Sequence, residues 1–199
     1  MIKNVKILLL TGGKIPKLGT PQSAGYDVYP RCIVSLSEMD KQSPYLRKNL
    51  FNFKSRSDNE QINKNIIQEN GQLIYNLMPN QSVVLGIGFI TEMPSEMFYY
   101  LLPRSGATTV KDTLLQNAMV PIDADFRGEA TAKILNIGNK PFIISKEVAI
   151  AQVVFQKRLV PQFVEINNYN EFSQTERSFH GLGHTDFKNK NLRKNNENK

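Results

Sequence analysis

The sequence lacks most of what would point to covalent, zinc-based or membrane-bound chemistry. Cys32 is its only cysteine, which excludes an internal disulfide or a cysteine-based metal site and makes a reducing cytoplasm the natural setting. Its two histidines, His180 and His184, sit four apart in a glycine-interrupted stretch unsuited to a helix. Two imidazoles without a nearby third ligand make a poor zinc site. No apolar run approaches the roughly 18 residues that a membrane span requires. Long helical patterns between strands are also missing, which argues against a parallel βαβ sheet.

What is there is an ordinary globular composition, 40% hydrophobic and 22% charged over 199 residues, enough for one domain with a sizeable core. The formal charge of +7 invites a nucleic-acid reading, but residues 188–199 carry five basic side chains against one acidic, a net +4. The remaining +3 is modest, and no recognition motif accompanies it. The basic, Asn-rich tail reads as a solvated disordered end.

The chain is dominated by short alternating or apolar runs punctuated by Gly, Pro, Asn and Ser. Val5–Leu10, Ser82–Thr91, Met97–Leu102, Thr131–Leu135, Phe142–Ser145, Ala149–Phe155 and Val160–Glu165 all read as strands. The start, Met1–Leu10, is basic and then apolar like a signal peptide, but Thr11-Gly-Gly-Lys14 offers no good cleavage site and the run alternates as a strand does. An all-β, mostly antiparallel barrel or jelly roll is expected. Residues 37–72 break the pattern with a polar, Lys/Asn/Gln-rich insertion. Ser57-Asp-Asn-Glu60 matches a capping box, Ile62, Ile66 and Ile67 share a helical face, and Asn70-Gly71 supplies a stop, so a short amphipathic helix is expected over Asp58–Glu69. Its isoleucines either pack on the chain's own barrel or form a docking surface for a protein partner.

The segment that carries chemistry is Asn117-Ala-Met-Val-Pro-Ile-Asp-Ala-Asp-Phe-Arg-Gly-Glu129, preceded by Pro103-Arg-Ser-Gly106. An apolar run ends in two carboxylates, then an aromatic, a guanidinium and a glycine. That arrangement presents a general base, Asp123, beside a flat ring at a strand–turn boundary, where partial desolvation would set its basicity. Arg104 offers a phosphate-matching fork, Ser105 a hydroxyl, and Gly106 close backbone approach.

These two segments, with Ala24-Gly-Tyr-Asp-Val28, Ile150-Ala-Gln-Val-Val-Phe155 and Thr175-Glu-Arg-Ser-Phe-His-Gly-Leu-Gly-His-Thr185, resemble the five motifs of the trimeric dUTPase family, in order. The resemblance implies a jelly-roll-like, distorted β-barrel subunit with a short helical insertion, assembled as a homotrimer with shared active sites. It spans a single domain over 1–187, with a mobile C-terminal arm at 173–187 and a disordered tail at 188–199. The implied reaction is hydrolysis of dUTP to dUMP and pyrophosphate, with Mg²⁺ as cofactor, by a dUTP diphosphatase of the cytoplasm, or of the nucleus or host cytoplasm if the chain is viral.

Carried over residue by residue, the resemblance makes Asp123 the water-activating base and Phe126, where relatives carry tyrosine, the ring beneath the deoxyribose. Asn117 reads the uracil edge, while Arg104, Ser105, Gly106 and Gln152 meet the phosphates. Asp27 helps hold the magnesium–triphosphate unit, largely through water. Arg177 and Thr185 meet the γ-phosphate. His184 stands in place of a serine, and Leu182 in place of the ring that stacks on uracil. The sequence departs from the family pattern at Val120 and Pro121, where a glycine and a small aliphatic are common, and at Ala149, where an arginine is usual.

Two other functions fit parts of the pattern. A dCTP deaminase shares the fold, but its catalytic glutamate falls five residues after the motif glycine, where this chain has Lys133. An ammonium cannot take a proton from water in that role. A dUTPase-like nucleotide-binding regulatory protein would account for the insertion and tail, yet would have no use for the base Asp123.

Overall fold

The computed structural model describes residues 4–175 and 177–179. The chain divides into two compact units, Met1–Leu159 and Val160–Lys199. The first holds β1 (Lys6–Leu9), β2 (Lys17–Leu18), β3 (Tyr26–Val28), β4 (Cys32–Met39), β5 (Arg47–Phe51), a one-turn helix α1 (Glu60–Asn63), β6 (Ile66–Glu69), β7 (Gln72–Leu77) and β8 (Ser82–Gly86). It continues with β9 (Phe89–Glu92), β10 (Met97–Leu102), β11 (Thr113–Leu115), β12 (Pro121–Ile122), β13 (Thr131–Asn136), β14 (Phe142–Ile144) and β15 (Ala151–Lys157). Every pairing is antiparallel, in sheets ordered β12-β10-β15-β3-β2, β11-β13-β8-β4-β5, β14-β7-β6 and β1-β9. This is the all-β, jelly-roll-like architecture expected from the sequence. Among the described residues no helix is long and apolar enough to cross a membrane.

The core follows from two-residue alternation. Along β13, Ala132, Ile134 and Asn136 point inward and are buried while their neighbours stay partly exposed. Tyr99, Leu101, Val153 and Val28 from one five-stranded sheet meet Ile33, Val83, Leu85 and Ile134 from the other, with Leu77, Phe142 and Ile144 closing one side. Each such apolar side chain stabilises the fold by about 1.5–3 kcal/mol relative to exposure.

Three sequence expectations change in the structure. The helix expected over 58–69 is only Glu60–Asn63, capped by Asn59 rather than Ser57, whose hydroxyl donates to the Leu50 carbonyl instead. Ile66 and Ile67 open β6, and Asn70 and Gly71, at φ of 49° and 76°, form the two-residue turn of a β6–β7 hairpin. A left-handed Asn-Gly pair between alternating strands makes a type I′ hairpin, which outweighs the helical spacing of the isoleucines. Ile66 is buried in the core and Ile62 packs against it, so this part of the insertion leans on its own barrel. Upstream, the insertion is a β4–β5 hairpin extension braced by Lys48–Glu38 at 2.7 Å.

The strand expected over Ser82–Thr91 is two strands, broken at Gly88 (φ 85°). A Cβ on Gly13 would stand 1.9 Å from the Gly88 carbonyl oxygen, so the N-terminal segment presses on this break through two glycines. Residues 160–165 form no strand. In the second unit they carry Phe163 at 92% exposure, and β propensity without a partner ladder does not make a strand. Among its described residues that unit has one short 3₁₀ turn, Tyr169–Glu171, with a capping box between Asn168 and Glu171.

Candidate active site

Antiparallel register brings the first cluster together. β15 lies between β3 and β10, pairing Gln152 with Asp27 on one side and with Leu102 on the other. Arg104 follows two residues beyond the end of β10 and turns its guanidinium back across the sheet. Its Nε lies 2.8 Å from Asp27 Oδ1, its Nη2 donates to Asp27 Oδ2 at 3.1 Å, and its Nη1 donates to the Ala149 carbonyl at 3.0 Å. A two-point guanidinium–carboxylate pair fixes direction as well as distance. Gln152 Nε2 donates to the Pro103 carbonyl at 3.0 Å, and a Cβ at Gly25 would fall 2.4 Å from Gln152 Oε1. Gly25 of the Ala-Gly-Tyr-Asp segment therefore makes room for the glutamine.

Ser105 and Gly106 open a five-residue π-type turn, Gly106–Val110, begun by Ala107 and Thr108 donating to the Arg104 carbonyl at 3.0 and 3.1 Å. Both are exposed, and nothing lies within 4 Å of where a Cβ on Gly106 would sit. That open space suits close approach of a ligand to the backbone.

The second cluster is a turn. β12 pairs Pro121 with Tyr100 and Ile122 with Tyr99, then Phe126 N donates to the Asp123 carbonyl at 3.2 Å. Asp123 lies at an open pocket of about 520 Å³ shared with Phe98, Tyr100, Pro121, Asp125 and Arg158. It is exposed, so the partial desolvation expected for the base is not supplied by the described residues of its own chain. The Phe126 ring, 43% exposed, folds over Gly128, where a Cβ would stand 2.6 Å from its Cζ.

Three residues that the sequence reading did not single out hold this turn. Arg127 Nη1 donates to the Ala124 carbonyl at 2.7 Å and reaches the Phe126 and Thr91 carbonyls at 3.2 and 3.4 Å. The Glu129 side chain, 3% exposed, takes Arg31 at both oxygens, at 2.9 and 2.5 Å, while Oε1 also accepts from Gly88 N at 2.7 Å. Burial acts to lower the Arg31 pKa, but the Glu129 hydrogen bonds and charge outweigh it and raise the guanidinium above its ordinary value. The pair joins residues 98 apart, so no local pattern announces it.

Asn117 was expected to read a pyrimidine edge with its side-chain amide. Instead Nδ2 donates to the Thr131 carbonyl at 2.7 Å and Oδ1 accepts from Lys133 N at 2.8 Å, so the amide ties the loop after β11 to β13. The left-handed Met119 (φ 61°), whose N donates to Leu101 at 3.2 Å, shapes the adjoining loop.

The two clusters lie apart within one chain. Continuing the β10–β12 register sets Asp123 level with Phe98, which pairs with Gln156. Gln152 is four residues away along β15, roughly 13 Å at about 3.3 Å per residue. Arg177 is exposed in the second unit, and Leu182, His184 and Thr185 lie outside the described residues.

Among the described residues no three His, Cys, Asp or Glu side chains come together as a metal cage. Asp27, both oxygens bonded to Arg104, is the carboxylate of the cluster. Such a donor set fits a magnesium ion that keeps its waters and arrives with a polyphosphate, not one caged by protein.

A family model described as dUTPase matches residues 72–186, more than half of the chain. The deoxyuridine 5'-triphosphate nucleotidohydrolase of Chlamydia caviae is 30% identical over 109 residues, 55% of this chain and 74% of the relative. That of Caldanaerobacter subterraneus is 32% identical over 107 residues, 54% and 70% of the two chains. A Staphylococcus bacteriophage 80alpha dUTPase mutant with dUpNHpp superposes with a TM-score of 0.61 at 15% identity, covering 92% of this chain and 98% of its own. A mutant dUTPase of S. aureus phage phi11, described as coordinating a structural Mg(II) ion, gives 0.57 at 14% identity, covering 84% and 99%.

Proposed function

This chain belongs to the dUTPase family, and from that premise we propose that it is a dUTP diphosphatase, hydrolysing dUTP to dUMP and pyrophosphate. Asp123 takes a proton from a water that attacks the α-phosphorus, and pyrophosphate leaves. Arg104, Ser105, Gly106 and Gln152 bind the phosphates. The Phe126 ring packs under the deoxyribose and excludes a 2′-hydroxyl sterically, a role that needs the flat face and not a phenol. Uracil is read mainly by backbone groups of the 117–121 loop, held in shape by the Asn117 side chain. Asp27 would help hold a magnesium–triphosphate unit, in which the ion would supply charge neutralisation. Arg177, Thr185 and His184 close over the γ-phosphate and Leu182 packs on the base, which excludes water during reaction.

The observation that carries this reading is the separation of the base from the phosphate cluster. With Gln152 and Arg104 roughly 13 Å or more along the sheet from Asp123, one chain does not close a site. A homotrimer whose sites combine Asp27, Arg104 and Gln152 of one subunit with Asp123 of another resolves the gap, and accounts for an exposed Asp123 in a single chain. Lys133, whose backbone N–H is bonded to Asn117, argues against deamination of dCTP.

The test is pyrophosphate release from dUTP, dTTP, UTP and dCTP with Mg²⁺. Turnover confined to dUTP is expected, with Asp123→Asn retaining nucleotide binding while kcat falls by roughly 10²–10⁴. Near-normal turnover in that variant would overturn the assignment of the base.

A further inference from the structure

We infer that Arg127 is a positioning residue for catalysis, fixing the turn that presents Asp123 and Phe126; the inference rests on the dUTPase reading of that turn. The exposed six-residue loop from Asp123 to Gly128 has one backbone hydrogen bond of its own, Phe126 N to the Asp123 carbonyl at 3.2 Å. Its shape otherwise depends on side chains. Arg127 Nη1 closes the loop internally on Ala124 at 2.7 Å, and ties it outward to β9 through the Thr91 carbonyl at 3.4 Å. β9 is itself tied to the buried anchor, because Gly88 N, one residue before it, donates to Glu129 at 2.7 Å. A Cβ at Gly86 would stand 2.6 Å from Glu129 Oε1, so the carboxylate sits in a close-fitting cradle. The loop is thus pinned at its far end by Glu129 and Arg31, and its near side depends on one exposed guanidinium.

Because all of these acceptors are backbone carbonyls, Arg127 acts on loop geometry and not on substrate charge. A general base displaced by about 1 Å loses on the order of 10²-fold in rate. Tilting the Phe126 ring also admits a 2′-hydroxyl. Loss of rate and loss of sugar discrimination therefore go together.

The experiment compares wild type, Arg127→Ala and Arg127→Lys by kcat and KM on dUTP and UTP, by Tm, and by the ¹⁹F resonance of 4-fluorophenylalanine at position 126. Arg127→Ala is expected to lower kcat on dUTP roughly 10–100-fold, with a small change in KM and Tm, reduced preference for dUTP over UTP, and a shifted or broadened fluorine signal. Arg127→Lys, which keeps the charge and can still donate to Ala124, recovers part of the rate and preference. Three results would each overturn the inference. They are unchanged kcat with an unchanged fluorine signal, a raised KM with equal losses on dUTP and UTP (direct phosphate contact), and a Tm fall that accounts for the lost rate. Wild-type turnover separates these failures from failure of the parent reading, in which wild-type protein releases no pyrophosphate from dUTP.

Discussion

Asp27 and Arg104 are joined by two parallel contacts, Nε to Oδ1 at 2.8 Å and Nη2 to Oδ2 at 3.1 Å. The carboxylate aims the guanidinium and the Ala149 carbonyl limits its swing. Lysine keeps the charge but cannot reproduce the fork. Arg104→Lys is therefore expected to lower kcat/KM for dUTP by roughly 10–100-fold, the scale of a charge-assisted hydrogen bond with part of its strength lost to solvent. Asp27→Asn should raise the Mg²⁺ concentration required for half-maximal rate. Steady-state kinetics with Mg²⁺ titration checks both, and an unchanged kcat/KM in Arg104→Lys would remove the fork from the site.

Asn117 bridges the Thr131 carbonyl and the Lys133 amide. Asn117→Ala leaves both without their partner, so a loss of about 1–3 kcal/mol in unfolding free energy is expected by denaturant titration. Wild-type stability with a raised KM would instead assign the amide to the base.

Cys32 is fully buried, and burial pushes its thiol up to about 12; Tyr99, likewise buried, is pushed up to about 12. Both groups hold their proton more tightly folded than unfolded, so their stabilising effect is complete below the unfolded values. It is lost as pH rises from about 9 towards 12. Unfolding free energy should fall across that window, with a shallower slope in Cys32→Ala. The thiol should resist alkylation at pH 8 until the chain unfolds. Fast labelling of folded protein would contradict the burial argument.

Strands were legible where alternation and a partner coincide. Met97–Leu102 and Thr131–Leu135 carry side chains whose two-residue period matches the buried face they occupy. The isoleucines at 62, 66 and 67 satisfy a helical stripe and a strand equally, and the deciding signal was Asn70-Gly71 as a hairpin turn. Asp27, Arg104 and Gln152 were recognised by residue type and motif; the sheet register pairs Asp27 with Gln152, and the Arg104 guanidinium folds back onto Asp27. The Arg31–Glu129 pair was illegible because it is made by packing across 98 residues. Arg127 was hidden for another reason, since its acceptors are carbonyls of its own loop and of β9, which no side-chain pattern marks.

The central claim is that one active site uses the phosphate cluster of one chain and Asp123 of another. It is tested by measuring pyrophosphate release from dUTP by hetero-oligomers of Asp123→Asn and Arg104→Ala chains, co-expressed with different tags and purified through both. Each variant alone should be nearly inactive. If sites are shared, each mixed trimer that carries both tags has one intact site of its three, so roughly one third of wild-type activity returns. Hetero-oligomers no more active than either parent, or a fully active monomer by light scattering, would contradict it.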